Sequence, residues 1–180
     1  MNYLDLDINE LLKYKDSNDS EALKEIGYRY YYGEDIAKDL KKAFEYFTKA
    51  STDAEALYMM GECYFYGDGV EKNYTLAFNY YYKSYEQNDP FATYALANAY
   101  FYGYGVKEDK NMAFKLYLKA KDYEIVDAYY SLGECYEFGY GIDINLKLAL
   151  EYYNLANNNG YSEVDTDLKR IKQKIKKSKW

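Results

Sequence analysis

Apolar residues follow a helical spacing in the stretch covering residues 55–84. Ala56, Met60 and Tyr64 stand at positions i, i+4 and i+8, which is the stripe of an amphipathic helix. Gly67 follows this stripe and suits a left-handed helix cap, whereas Ala77 begins the apolar positions of a second helix. The stretch therefore predicts a helix, a turn that begins at glycine, and a second helix.

This pattern of small and aromatic residues recurs three more times. It repeats at offsets of thirty-four, thirty-six and thirty-six residues along the chain. A period in this range with two helices per unit is typical of a solenoid of helix pairs, in which each pair buries its apolar face against its neighbours. The recurring residues are Ala22, Gly27, Tyr30, Gly33 and Ala43; Ala56, Gly61, Tyr64, Gly67 and Ala77; Ala92, Ala97, Tyr100, Gly103 and Ala113; and Ala128, Gly133, Tyr136, Gly139 and Ala149.

Two local features of each repeat predict where its helices pack closely and where its second helix begins. A glycine inside a helix, such as Gly61, costs about 1 kcal/mol relative to alanine, so we expect it to allow another helix to come close. Residues with good N-capping side chains stand four positions before the second apolar stripe, and we expect the second helices to begin there. The predicted N-caps are Asp39, Asn73, Asp109 and Asn145.

These residues resemble the Sel-one-like repeat family, relatives of the tetratricopeptide repeat. The resemblance covers four repeats, at residues 20–52, 53–89, 90–126 and 127–160. It implies an all-α, right-handed superhelix of helix pairs that binds other proteins as an adaptor or assembly scaffold. One departure is Asp35, which replaces the second loop glycine of the first repeat.

Both ends of the chain are predicted to cap the array. Leu4, Ile8 and Leu11 have helical spacing, which predicts an N-terminal capping helix within residues 1–19. A basic C-terminal capping helix is predicted within residues 161–180, with Ser162 as its N-cap. Basic residues near a helix C-terminus suit the macrodipole, yet the same side chains could hold an anionic membrane or nucleic acid. They are Lys169, Arg170, Lys172, Lys174, Lys176 and Lys177.

Charge and composition narrow the function classes. The chain has a net charge of −7 and no histidine, which excludes histidine-based catalysis and histidine metal sites. Residues 169–180 carry seven Lys or Arg and no acid, so the remainder is strongly acidic and favours a basic partner over nucleic acid. Cys63 and Cys135 occupy equivalent places two repeats apart, too far for a disulfide, and are interpreted as small buried residues. We therefore predict a protein that is not an enzyme, with no catalytic residues, no metal and no cofactor.

The start of the chain lacks the apolar region of a secretory signal, and no stretch approaches a membrane span. The expected location is cytoplasmic.

The predicted binding surface is formed by first-helix residues that point away from the apolar stripe. At about 100° per residue these positions stack from repeat to repeat into an aromatic and acidic concave groove. Tyrosine is enriched at protein interfaces. The chain holds 28 tyrosines, however, and the alternative role for each one is to pack the repeats together. The same geometry places Glu137 on the outward side. The predicted groove residues are Tyr28, Tyr31, Tyr58, Glu62, Tyr66, Tyr94, Asn98, Tyr102, Tyr130 and Glu134.

Two functional hypotheses follow. The first is a scaffold that holds a basic protein or peptide in the groove, in one variant as its inhibitor or neutralising partner. The second is a structural or localising module that acts through the basic C-terminal helix on an anionic membrane or nucleic acid. Oligomeric state is left open by the sequence.

Overall fold

The computed structural model describes residues 2–177 and is all-helical over that range, with ten α-helices, two short 3₁₀ turns and no strand. The predicted all-α fold of consecutive helix pairs is confirmed. The described residues form two compact units, one ending at Ala92 and the other beginning at Thr93. The helices are α1 Ile8–Leu11, α2 Ser20–Tyr32, α3 Leu40–Lys49, α4 Ala54–Tyr66, α5 Tyr74–Glu86, α6 Pro90–Tyr102, α7 Lys110–Asp122, α8 Val126–Phe138, α9 Leu146–Asn158 and α10 Asp165–Lys177.

The turn within each helix pair has the chemistry that the sequence predicts. Gly67 is left-handed at φ 87°, and its N–H donates to the carbonyl of Cys63 at 2.8 Å. Asn73 caps α5, because its side chain accepts the N–H of Leu76 at 3.0 Å while its own N–H donates to the carbonyl of Tyr64 at 2.8 Å. The other three predicted caps accept equivalent hydrogen bonds, so all four second helices begin where expected.

Helical glycines in both units admit an aromatic ring from the partner helix. A Cβ atom on Gly27 would lie 2.6 Å from Cε1 of Phe47, and one on Gly61 would collide with the ring of Tyr81. In the second unit, a Cβ on Gly133 would lie 2.6 Å from Cδ1 of Tyr153. The predicted close approach is therefore made by a ring of the second helix of the same pair.

Asp35 differs from the loop glycines because its surroundings differ. A Cβ on Gly69 would collide with the backbone carbonyl of Leu40, at the start of the preceding second helix α3. A Cβ on Gly141 would collide in the same way with the carbonyl of Lys110, at the start of α7. The first repeat follows only short turns, and there Asp35 keeps the left-handed backbone at φ 58° and its carboxylate accepts from Arg29 at 2.8 Å.

The N-terminal segment is a series of short turns, not the single helix predicted within residues 1–19. Two 3₁₀ turns flank α1, and the predicted stripe residue Leu4 is 69% exposed. The reason is that Leu6 is extended and Asp7 caps a new turn. The buried guanidinium of Arg29 donates to the carbonyls of Leu4 at 3.1 Å and Leu6 at 3.4 Å, which holds this extended stretch against α2.

At the other end, α10 begins at Asp165, three residues after the predicted N-cap Ser162. Residues 161–164 form a turn in which the ring of Tyr161 stacks on Tyr130 with centroids 4.6 Å apart. The stripe of α10 packs on α9 through Leu168 and Ile171, which share a core with Tyr153. Residues 178–180 of the predicted capping helix lie outside the described residues.

Candidate protein-binding surface

In the first unit, the five predicted groove residues lie on α2 and α4. Tyr66 is 61% exposed, whereas Tyr28, Tyr31, Tyr58 and Glu62 are each half-buried. Four of the five side chains are therefore partly occupied by contacts within the chain.

Two of these tyrosines join the first repeat to the second. The hydroxyl of Tyr28 donates to Glu55 at 2.7 Å, and Lys24 donates to the other oxygen of Glu55 at 2.7 Å. Tyr31 donates to Asp68 at 2.6 Å. Burial, followed by the hydrogen bond to Glu55, raises the pKa of Tyr28 far above its ordinary value, so this phenol stays protonated and acts as a donor. Tyr28 and Tyr31 therefore have the packing role that was the alternative for each tyrosine.

Glu62 has a partner within its own repeat. The hydroxyl of Tyr81 on α5 donates to it at 2.6 Å, and Tyr58 packs on the Tyr81 ring with centroids 5.9 Å apart. Burial raises the pKa of Glu62, although its hydrogen bonds from tyrosine act in the opposite direction.

Two clefts open beside these residues, and both are lined by Tyr28, Tyr32 and Glu55. The first has a volume of about 350 Å³ and the second of about 330 Å³. Additional lining residues of the first are Tyr3, Leu4, Glu21, Lys24, Glu25 and Glu34. Additional lining residues of the second are Tyr58, Met59 and Phe91.

The helical-wheel prediction missed Tyr32 and Phe91, whose side chains are 59% and 55% exposed. Tyr32 ends α2 as Tyr66 ends α4, and it is the equivalent of Tyr66 in the first repeat, so the register of the repeats was a signal for it. A sequence signal did exist for Phe91, because the equivalent positions of the other repeats hold the acids Glu21, Glu55 and Asp127.

In the second unit, the predicted residues divide in a similar way. Asn98 accepts a hydrogen bond from the hydroxyl of Tyr117 at 2.8 Å, and the hydroxyls of Tyr94 and Ser131 are 3.3 Å apart. Tyr130 is half-buried against Tyr161, as described above, whereas the remaining aromatic residue, Tyr102, is 56% exposed.

Glu134 occupies the place equivalent to Glu62 and is half-buried. Within residues 2–177 it forms no hydrogen bond or ion pair. Burial, reinforced by the charge of Asp167, raises its pKa.

The outward placement of Glu137 is wrong. Its side chain is fully buried and accepts hydrogen bonds from Tyr153 at 2.7 Å, from Arg170 at 2.8 and 2.7 Å, and from Lys174 at 2.9 Å. Burial alone would raise the pKa of Glu137, but the hydrogen bonds from Arg170, Tyr153 and Lys174 lower it to about 2. The helical wheel failed here because α10 returns over this part of α8.

The predicted basic patch is consequently divided. Arg170 and Lys174 bind Glu137, and their cationic groups also lie 5.5 and 4.8 Å from the ring centroid of Phe138. The basic side chains of α10 that remain exposed are Lys169, Lys172, Lys176 and Lys177.

Other chemistry is sparse in the part of the chain that the structure describes. Cys63 and Cys135 are buried free thiols, as predicted, and burial raises the pKa of each to about 12. No group of three or more Cys, Asp or Glu side chains between residues 2 and 177 is arranged to hold a metal ion. None of the described helices has the length and apolar character needed to cross a membrane.

Comparison with solved structures gives several similar folds. A protective antigen of uropathogenic Escherichia coli with an SLR fold is 30% identical over 87% of this chain, with a TM-score of 0.81. A Sel1 repeat protein from Oxalobacter formigenes is 28% identical over 89% of this chain, with a TM-score of 0.82. Cysteine-rich protein B of Helicobacter pylori is 30% identical over 71% of this chain, with a TM-score of 0.56. The matches cover 34%, 64% and 92% of those three proteins, so the chain spans less than two thirds of the first two.

No curated protein matches the chain. The family model described as Sel1 repeat matches residues 20–53, 54–89, 90–122 and 126–161. Proteins built from these repeats are generally non-enzymatic scaffolds for protein–protein interaction. Since the four matches fall on helix pairs whose caps and close contacts recur, the chain belongs to the Sel1 repeat family.

Proposed function

We propose that this chain is a scaffold that binds a basic segment of another protein on the outward face of its first helices. The observation that carries this proposal is the set of exposed aromatic side chains in the first unit. Tyr32, Tyr66 and Phe91 are each more than half exposed, and Tyr32 and Phe91 line one cleft together with Glu55. Exposed aromatic groups that lie together, as Tyr32 and Phe91 do, are typical of an interaction surface, and they supply contact area at low entropy cost.

The charge of the chain supports a basic partner. Its net charge is −7, while seven cationic residues are concentrated in residues 169–180. In the second unit Glu134 has no ion pair among the described residues, which leaves a carboxylate for a lysine or arginine of the partner. Complementary charge of this kind mainly increases the association rate and the specificity of binding.

Groove residues from each unit have a defined part in the proposal. Exposed Tyr66 is a direct contact in the first unit, and exposed Tyr102 is the equivalent contact in the second unit. The half-buried Tyr28 and Tyr31 hold the surface of the first unit in shape through their hydrogen bonds. Such a scaffold can act as an adaptor, or as the inhibitor or neutralising partner of a basic protein.

Selection from a random peptide library displayed against the full chain tests the proposal. We expect the selected peptides to be basic and their binding, measured by fluorescence polarisation, to weaken as salt is raised. The double variant Tyr66→Ser/Tyr102→Ser should weaken binding about tenfold, in the range for exposed interface anchors. Tyr82→Ser is the matched control, because Tyr82 is also an exposed tyrosine but belongs to a second helix. Selection of no peptide, or equal binding by both variants, would refute the proposal.

The second hypothesis now depends on the four exposed lysines of α10. Co-sedimentation of the full chain with phosphatidylserine vesicles tests it, using a variant with Gln at Lys169, Lys172, Lys176 and Lys177. Vesicle binding that this variant loses, together with failure of the peptide selection, would favour the localising role.

A further inference from the structure

The second cleft of the first unit has a composition suited to a cationic ligand. We infer that it binds an arginine side chain of the partner segment, stacked on its aromatic walls. This inference rests on the proposed function and names the chemical group that the surface recognises. The wall residues are Tyr28, Tyr32, Tyr58 and Phe91, with Glu55 beside them and Met59 also in the lining.

Two pairs of rings form the walls. Tyr28 and Tyr32 on α2 are stacked, with centroids 6.0 Å apart and planes at 11°. Tyr58 on α4 and Phe91 on α6 have centroids 5.9 Å apart and planes at 33°. The inner ring of each pair is half-buried and the outer ring is more than half exposed, so a ligand can reach a ring face from solvent.

The inner rings are held in place by their own contacts. The hydroxyl of Tyr28 is bound to Glu55, and its ring meets Phe47 edge-on at 5.4 Å. Tyr58 packs on Tyr81, whose hydroxyl is bound to Glu62. A wall that is already ordered loses little entropy when a ligand binds.

One acid, Glu55, lines the cleft, and other acids lie near the residues that line it. Lys24 neutralises part of this negative charge, through contacts of 2.7 Å to Glu55 and 3.4 Å to Asp53. The carboxylates that contact Lys24 or act electrostatically on Tyr58 are Asp53, Glu55, Glu62 and Asp89. Four acids against this lysine favour a cation over a neutral side chain of the same size.

Arginine fits this combination better than an apolar residue does. The guanidinium is planar and weakly hydrated, it stacks on aromatic faces, and it can donate to a carboxylate at the same time. A cleft of about 330 Å³ has room for a side chain but not for a folded element. An apolar occupant would bury the same ring surface but would gain no interaction with the carboxylate of Glu55.

The aromatic wall is particular to this place in the array. Phe91 stands where the three other repeats have an acid, and Asp127 is its equivalent in the second unit. Tyr58, in turn, stands where the first repeat has Lys24. The first unit therefore combines the acid of one repeat with the aromatic residue of the next.

Titration of the full chain with N-acetylarginine amide, followed by aromatic carbon-13 NMR, tests the inference. We expect saturable shifts of Phe91 and Tyr32 resonances. N-acetylcitrulline amide has nearly the same shape without the charge, and it should bind at least about fivefold more weakly if cation–π contact carries the affinity.

The double variant Tyr32→Leu/Phe91→Leu keeps apolar bulk at two exposed positions but removes the π faces of the two outer rings. Two cation–π contacts at exposed sites correspond to about a fivefold to thirtyfold loss of arginine amide affinity. Affinity in this variant is followed through the shifts of Tyr28 and Tyr58. Tyr82→Leu is the control variant and should leave affinity unchanged. Circular dichroism verifies that both variants keep the helical fold.

Equal binding of arginine and citrulline amides would overturn the inference, and so would unchanged binding by the double leucine variant. The peptides selected above separate this outcome from failure of the proposed function. If they bind the chain but tolerate citrulline in place of every arginine, the scaffold stands and the arginine site falls. If no peptide binds, the proposed function fails, while the amide titration still decides the chemistry of the cleft.

Discussion

The buried carboxylate of Glu137 offers a sharp test of what holds α10 on the second unit. The substitution Glu137→Gln keeps the size of the side chain but removes its charge. Glutamine can still accept from Tyr153, but it cannot match the paired hydrogen bonds that Arg170 makes at 2.8 and 2.7 Å. We therefore expect α10 to lose most of its electrostatic attachment.

The magnitude follows from proton linkage. The pKa of Glu137 falls from its ordinary value of 4.5 to about 2 in the folded protein. At about 1.4 kcal/mol for each tenfold change in proton affinity, this corresponds to about 3 kcal/mol. Because the side chains of Arg170 and Lys174 are 38% and 41% exposed, solvent screening reduces the expected loss to about 2 kcal/mol.

The sign of the pH dependence is also determined. A carboxylate whose folded-state pKa is depressed stabilises the protein above its unfolded pKa, and this contribution is lost as the pH falls towards the folded value. For Glu137 the stabilisation is complete above about pH 5 and declines towards pH 2. The variant should lack this part of the acid-induced loss of stability.

Urea unfolding followed by circular dichroism, at about pH 7 and about pH 3, measures both effects. Glu134→Gln is the matched control, since Glu134 lies one turn earlier on α8 and has a raised pKa. Removing its charge should leave stability at pH 7 unchanged or slightly higher, because a raised carboxyl pKa means that ionisation opposes folding. Refutation would be a Glu137→Gln variant within about 0.5 kcal/mol of wild type at pH 7, or one with an undiminished acid response.

Three further predictions follow from the packing. Gly133→Ala should destabilise the second unit by about 1–3 kcal/mol in urea unfolding, because the new methyl group meets the ring of Tyr153; an unchanged midpoint would contradict this. Arg29→Met should leave the buried carboxylate of Glu25 unpaired and release the N-terminal turns, which predicts faster hydrogen exchange and proteolysis there and a loss of about 3 kcal/mol. Both cysteines should resist thiol reagents until the chain unfolds, because burial raises their pKa to about 12, and rapid labelling of the native protein would count against their burial.

The repeat architecture could be predicted because its signals are local. A left-handed glycine, a capping side chain four residues before an apolar stripe, and a small residue inside a helix each act within one helix pair. Asn73 and Gly67 show this, since their hydrogen bonds all fall within the same turn. The departure at Asp35 has its cause outside its own helix pair, because short turns take the place of a full second helix before the first repeat.

The surface was harder to predict because exposure depends on neighbouring helices. A helical wheel treats α8 as isolated, and it therefore placed Glu137 outward although α10 covers it. The wheel also assigned Glu62 to a partner, whereas Tyr81 of the adjacent helix already binds it. At the N-terminus, the spacing of Leu4 and Ile8 resembles a helix, but the carbonyl interactions of Arg29 with the intervening stretch favour extended backbone.

The polar contact between the two helices of a repeat has a consequence for how such arrays change over time. Equivalent places in the four second helices hold Phe47, Tyr81, Tyr117 and Tyr153, and each has a different partner on the first helix. The ring of Phe47 meets the ring of Tyr28. The hydroxyls of Tyr81, Tyr117 and Tyr153 donate to Glu62, Asn98 and Glu137, respectively. A recombination break between the helices of one repeat could bring Glu62 opposite a phenylalanine, leaving a half-buried acid without its donor at a cost of about 1–3 kcal/mol. Duplication of a whole helix pair carries both members together. The unit that can be copied without loss is thus the intact pair.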